Sequence, residues 1–150
     1  MSAEPETRAA HRRACLWVFD HLLQEGVVPY TPLAELEGVD AAIRCANGAF
    51  RDLVILAPTD EHSPLRFQIE RLVPRDNLFV VCVALGVTPL QCWIFPSREF
   101  DRQAAERGGV RELDLDAPAP DGRGRLKQTL SLHRNAWRLL IDGALKAYAR

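Results

Sequence analysis

Gly38-Val39-Asp40-Ala41-Ala42-Ile43-Arg44-Cys45-Ala46-Asn47-Gly48-Ala49-Phe50-Arg51-Asp52-Leu53-Val54-Ile55-Leu56-Ala57-Pro58 is the stretch whose reading decides the fold. Two β-like runs flank Asn47-Gly48, a strong hairpin signal because both residues tolerate the backbone angles of a tight turn. The first strand is expected over 39–45 and the second over 49–57. Side chains alternate along a strand, so Asp52, Val54 and Leu56 share one face and Leu53 and Ile55 the other. Asp40 opens the first strand and Asp52 lies inside the second. A third run, Leu65 to Leu72, turns Arg66, Gln68 and Glu70 to one side and Leu65, Phe67 and Ile69 to the other. Acids on neighbouring strands are a way to hold a divalent cation, so any chemistry is expected here.

Upstream, 4–25 reads as a helix. Ala10, Ala14, Trp17, Val18, His21 and Leu22 recur at helical spacing, Leu16, Phe19 and Leu23 widen the apolar stripe, and Gly26 is placed to stop it. Pro29 and Pro32 interrupt the connector that follows. Downstream, Pro74-Arg75-Asp76-Asn77 turns the chain. Leu78 to Leu85 is apolar almost throughout, as in a strand covered on both faces. Leu90 to Phe95 is a fifth strand, Ser97 is placed to cap a helix over 98–106, and 110–115 suits an edge strand. A Pro/Gly loop over 117–124 precedes a helical stretch, 124–148, with a break near Ser131. The order gives an α+β (mixed α/β) class: an N-terminal helix, a central mixed β-sheet of about five strands, and C-terminal helices, in a single domain over 1–150.

Composition agrees with one ordinary core: 150 residues, 47% hydrophobic and 26% charged. No apolar run approaches the ~20 residues of a membrane span. The first residues are polar and lack a signal-peptide layout, so a cytoplasmic protein is expected. A formal net charge of −1 gives no overall basic character for nucleic-acid binding, although charge can be segregated. Arg8, Arg12 and Arg13 gather near the first helix's start. Arg123, Arg125 and Lys127 form a local basic loop, read either as a solvated segment or as a phosphate contact. The four cysteines show no zinc spacing and sit in apolar stretches, so they read as buried free thiols. His21 reads as a core histidine, and Trp17, Trp93 and Trp137 as packing residues. No His-Glu-x-x-His and no phosphate-loop glycine pattern occurs.

These pieces resemble the PD-(D/E)XK (restriction-endonuclease-like) superfamily, and within it a group of small bacterial proteins. The match is to Gly38-Val39-Asp40, the hairpin, and later blocks. Those blocks are Pro74-Arg75-Asp76-Asn77-Leu78-Phe79-Val80-Val81-Cys82-Val83, Trp93-Ile94-Phe95-Pro96-Ser97-Arg98-Glu99-Phe100 and Arg134-Asn135-Ala136-Trp137. The resemblance implies a Mg²⁺- or Mn²⁺-dependent phosphodiesterase site. Asp40 matches its first acid. Where the group's second strand ends in Gln-x-Lys, this chain has Val54 and Leu56. In the other register Asp52 is the second acid and Val54 takes the lysine position. Either way the lysine is replaced by a hydrocarbon side chain that neither binds a cation nor polarises water.

Three functions remain open at this point. The first is a degenerate nuclease-fold module, with no cofactor, that associates with nucleic acid or a protein partner. The second is an active metal-dependent DNA endonuclease with Asp40, Asp52 and Glu70 as its catalytic candidates and Asp40 and Asp52 as metal ligands; in a variant of it, Asp52, Gln68 and Glu70 form the site, the glutamate standing in for the lysine. The third is a non-enzymatic subunit of a larger assembly with an unrelated α+β fold. The plain alternatives stand beside the site residues. Asp52 and Glu70 would form a solvated or salt-bridged strand face near Arg51, Arg66 or Arg71, and Asp40 would be a hydrogen-bonding acid of the hairpin.

Overall fold

Helix α1 (Ala3–Gln24) leads the computed structural model, which describes residues 3–34, 38–116 and 130–147. Ala14, Val18 and Leu22 recur every four residues and are fully buried, the stripe that a 3.6-residue period requires. Leu16 and Leu23 were expected to widen that stripe, but they face solvent instead. The helix ends as read. Gly26 takes φ 79°, its amide donates to the Leu23 carbonyl and the Val27 amide donates to the Leu22 carbonyl. That is a Schellman stop, with buried Val27 as its apolar partner.

The main sheet has the order β1-β2-β3-β5-β6. It consists of β1 (Pro29–Tyr30), β2 (Ala41–Arg44), β3 (Phe50–Leu56), β5 (Leu78–Ala84) and β6 (Gln91–Pro96). β2 and β3 form the expected antiparallel hairpin, with Ala41 opposite Leu53 and Arg44 opposite Phe50. Gly48 supplies the turn's positive φ of 90°, and the Asn47 side chain accepts the Ala49 amide at 3.0 Å. β3 runs parallel to β5, and β5 antiparallel to β6, so the sheet is mixed.

The main sheet has the five strands expected, but two of the segments differ from those that chain order suggests. The connector expected over 27–37 supplies β1, where Pro29 can sit because β1 is an edge strand. The run expected as a third strand, β4 (Arg66–Ile69), leaves the main sheet. It joins β8 (Val110–Asp114) and β7 (Ala105–Arg107) in a separate antiparallel sheet of order β4-β8-β7.

Both faces of the main sheet are covered. Leu53, Ile55, Val81, Val83, Cys92 and Ile94 meet Ala14, Val18 and Leu22 of α1, together with Leu140 and Ala144. On the other face Val54, Val80, Cys82 and Phe95 meet Phe67 and Leu113 of the second sheet and Phe100 of α2 (Ser97–Gln103). This three-layer packing is why β5 reads as a continuous apolar run. Full burial of each large aliphatic or aromatic side chain is worth roughly 1.5–3 kcal/mol.

Two further expectations are corrected. Helix α2 ends at Gln103, and Ala105–Arg107 form a strand rather than the helix's last turn. Ser97 does not cap α2. Pro96 occupies that position, and the buried Ser97 hydroxyl instead accepts the Arg75 amide at 2.9 Å and donates to the Arg75 carbonyl at 2.8 Å. At the C-terminus, residues 130–133 are helical, and the chain then breaks before α3 (Arg138–Ile141). The break centres on Asn135, whose φ of 50° is left-handed. Its amide donates to the Cys92 carbonyl at 2.7 Å, and its side-chain oxygen accepts the Cys92 amide at 3.1 Å. These bonds clip the C-terminal segment onto β6. The Pro/Gly loop over 117–124, the helix start at 124 and the basic residues Arg123, Arg125 and Lys127 lie outside the described residues.

Candidate functional site

Asp40 sits at the bend that leads into β2. Its amide donates to the Leu53 carbonyl at 2.8 Å, and its Oδ2 accepts the Ile55 amide at 2.7 Å. The carboxylate therefore continues the β2–β3 ladder past its last register pair, Ala41–Leu53, and gives the Ile55 amide its acceptor. Its other oxygen, Oδ1, lies 3.0 Å from Nε2 of His11 on α1. The same Nε2 lies 3.6 Å from Sγ of Cys15, one helical turn further on. The hydrogen bond to Asp40, and next the contact with Cys15, hold the His11 imidazole protonated against the opposing effect of burial, pushing its pKa up to about 10.

Asp52 is used differently. It belongs to the face of β3 that carries Val54, away from α1. Its Oδ2 takes Nη2 of Arg75 at 2.5 Å, and its amide donates to the Asn77 carbonyl at 2.7 Å. Asn77 Oδ1 accepts from Arg75 Nε at 3.1 Å. Asp52 thus fastens the turn before β5. The sequence suggested Arg51, Arg66 or Arg71 as neighbouring cations, and the partner shown for Asp52 is Arg75. Arg51 alternates to the opposite face, where its Nη1 donates to the Leu140 carbonyl at 2.8 Å.

Val54 is 5% exposed and packs with Phe67, Ile69, Leu78 and Val80, and half-buried Leu56 borders the same cluster. The two positions aligned with a Gln-x-Lys pair are part of a hydrocarbon core. Gln68 and Glu70 do not join Asp40 and Asp52 in one cluster. Gln68 lies on β4 of the second sheet and donates to Oε2 of Glu112 at 2.6 Å. Glu70 follows the end of β4 and is exposed.

Glu112, only 7% exposed, was not singled out in the sequence. It is faced by Arg66 at 3.8 Å and Arg107 at 3.7 Å. Its only sequence signal is the acid directly across the β4–β8 ladder from Gln68, which is invisible until those strands are known to pair. The His11–Cys15 spacing of four residues was a stronger signal. It places both side chains on one helix face.

His21, His133 and the buried cysteines belong to the packing of the fold. His21 stacks on Trp137 with ring centroids 3.8 Å apart, and burial lowers its pKa, in keeping with a core histidine. His133 Nδ1 contacts the Ile94 carbonyl at 3.0 Å, and burial lowers its pKa also. All four cysteines are free. Burial raises the thiol pKa of Cys82, and pushes that of Cys92 up to about 12, so neither is a nucleophile at neutral pH. Cys45 is buried as well, whereas Cys15, expected to be buried with the others, is only partly so.

A cleft of about 620 Å³ opens between the first turns of α1 and the loops after β3 and β5. Arg13, Thr59, Asp60, His62 and Gly86 are among its lining residues, and neither Asp40 nor Asp52 is. Among the described residues no helix is long and apolar enough to cross a membrane.

No protein-family profile matches the chain. No curated protein matches it either. Among solved structures, the chain is similar to a bacterial homing endonuclease, I-Ssp6803I. The two share 16% sequence identity, the match covers 91% of each chain, and the TM-score is 0.61. At this identity the likeness establishes a shared fold: the chain has a nuclease-like α+β architecture.

Proposed function

We propose that this protein is a nuclease-fold module that associates with nucleic acid and does not cut it. The observation that carries the reading is the commitment of the two acids. Asp40 holds the Ile55 amide and His11 on the α1 side of the sheet, while Asp52 holds Arg75 on the other side. A two-acid Mg²⁺ site needs carboxylate oxygens converging on one ion at about 2.0–2.1 Å. Val54 and Leu56 add hydrocarbon where a PD-(D/E)XK enzyme places a polar group and a lysine, so neither can activate water.

The nucleic-acid half of the reading rests on the fold shared with a homing endonuclease and on local charge. Arg8, Arg12 and Arg13 are exposed along the first half of α1, and Arg13 reaches the rim of the cleft. Arg123, Arg125 and Lys127 add cations elsewhere in the chain. Contacts of this kind bind backbone phosphates with little regard to sequence and weaken steeply with salt.

Fluorescence anisotropy with labelled duplex DNA, in chelator, tests this half. The expected result is binding at low salt that falls as salt rises and that weakens when Arg8, Arg12 and Arg13 are replaced by Ser. Absence of binding at low salt, with the chain folded by circular dichroism, would remove the nucleic-acid role.

A further inference from the structure

The geometry points to a Zn²⁺ site formed by Nε2 of His11, Sγ of Cys15 and Oδ1 of Asp40, joining α1 to the start of β2. It shares Asp40 with the carboxylate pair of the nuclease alignment but does not include Asp52, and it does not rest on the reading above. A chain that failed to bind DNA would defeat that reading and leave this one standing.

Three donor atoms from two elements converge. Within the group, every ligand atom lies within 4.8 Å of the others. Two adjacent vertices of a tetrahedral zinc site, one nitrogen and one sulfur, are about 3.6 Å apart given bonds of about 2.05 and 2.3 Å. The observed Nε2–Sγ separation is 3.6 Å. A nitrogen and a carboxylate oxygen on the same ion would be about 3.4 Å apart, and the observed Nε2–Oδ1 separation is 3.0 Å. Opening that contact by a few tenths of an ångström is within the reach of the partly exposed His11 ring.

The choice of nitrogen separates a metal site from a catalytic triad. In a nucleophile–histidine–acid relay, the thiol meets one ring nitrogen and the acid meets the other. Here both face the same Nε2, so the ring cannot pass a proton from Cys15 while Asp40 orients its far side. Three donors of these types within 4.8 Å of one another instead fit a cation. A thiolate, an imidazole and a carboxylate are the ligand types of Zn²⁺ rather than Mg²⁺. His11 and Cys15 are held four residues apart on one helix face, and Asp40 is held by the Ile55 amide, so all three ligand positions are in place before the ion arrives. On binding, the thiol proton of Cys15 and the ring proton held between His11 and Asp40 pass to solvent.

Titration of the reduced, chelator-treated full chain with Co²⁺, and then displacement by Zn²⁺ against a chromophoric chelator, tests the site. The expected result is one equivalent per chain, a thiolate-to-cobalt charge-transfer band, and tetrahedral d–d intensity. Cys15→Ser abolishes the charge-transfer band and weakens Zn²⁺ binding more than about 10-fold, as does His11→Ala. His62→Ala, on the cleft rim, binds as the parent does. Cys15→Ser removes no core methylene, and its folding is verified by circular dichroism. Absence of a stoichiometric site, or a charge-transfer band that survives Cys15→Ser, would overturn the assignment.

Discussion

The carboxylate of Asp40 accepts the backbone amide of Ile55 at 2.7 Å, across the hairpin and beyond the last main-chain pair of β2. An acid at the first strand's start is thereby the final rung of the ladder. It also ties α1 to the sheet through His11.

Replacing Asp40 by Ala leaves the Ile55 amide, next to the α1 core, without its partner. A loss of about 2 kcal/mol is expected from the unsatisfied donor. Asp40→Asn retains an acceptor oxygen and costs less than half of that. Urea unfolding of the two variants beside the parent checks the order, and equal losses would contradict the ladder role.

The His11–Asp40 pair gives a pH dependence of defined sign. The folded-state pKa of His11, about 10, lies above its ordinary value of 6.5. Its contribution to stability is therefore fully present below about pH 6.5 and fades as pH rises through about 10. His11 is half exposed, so solvent screening limits the effect to roughly 1 kcal/mol. In chelator, the urea midpoint of the parent falls between neutral and about pH 11 by more than that of His11→Gln. Parallel curves would show that the pair contributes nothing.

Asp52 and Arg75 are expected to couple. Both are partly exposed, with side chains 22% and 41% accessible, so a double-mutant cycle with Asp52→Asn and Arg75→Met should return about 0.5–1 kcal/mol. Asp52→Asn should also speed hydrogen exchange at the Asn77–Leu78 turn, which it fastens.

Gly143 has φ 75°, and a Cβ there would approach Arg51 Nη2 to 3.2 Å. Gly143→Ala is expected to cost about 1 kcal/mol or more, from the left-handed backbone and from disturbance of the Arg51–Leu140 bond. Thermal unfolding reads this directly.

How much was legible in the sequence follows from how local each signal is. The helix over α1, its stop at Gly26, the hairpin at Asn47-Gly48 and the doubly covered β5 all rest on short-range patterns, and the structure agrees with them. The sheet that β4 joins was not legible, because its partners β7 and β8 come some forty residues later and alternation says nothing about which strands pair. Asp40 and Asp52 were visible as acids. Their commitment to Ile55, His11 and Arg75 was not, since each partner comes from another element. Asn135 carries no local signal for its clip onto Cys92, because that partner lies on another element, β6.

A plasmid-nicking assay with Mg²⁺ or Mn²⁺ tests most directly whether the nuclease fold here has kept its form without its chemistry. The account predicts no nicking above the metal-only background, for the parent and for Asp40→Asn alike. Metal-dependent nicking by the parent that is lost in Asp40→Asn, with the variant still folded, would contradict it.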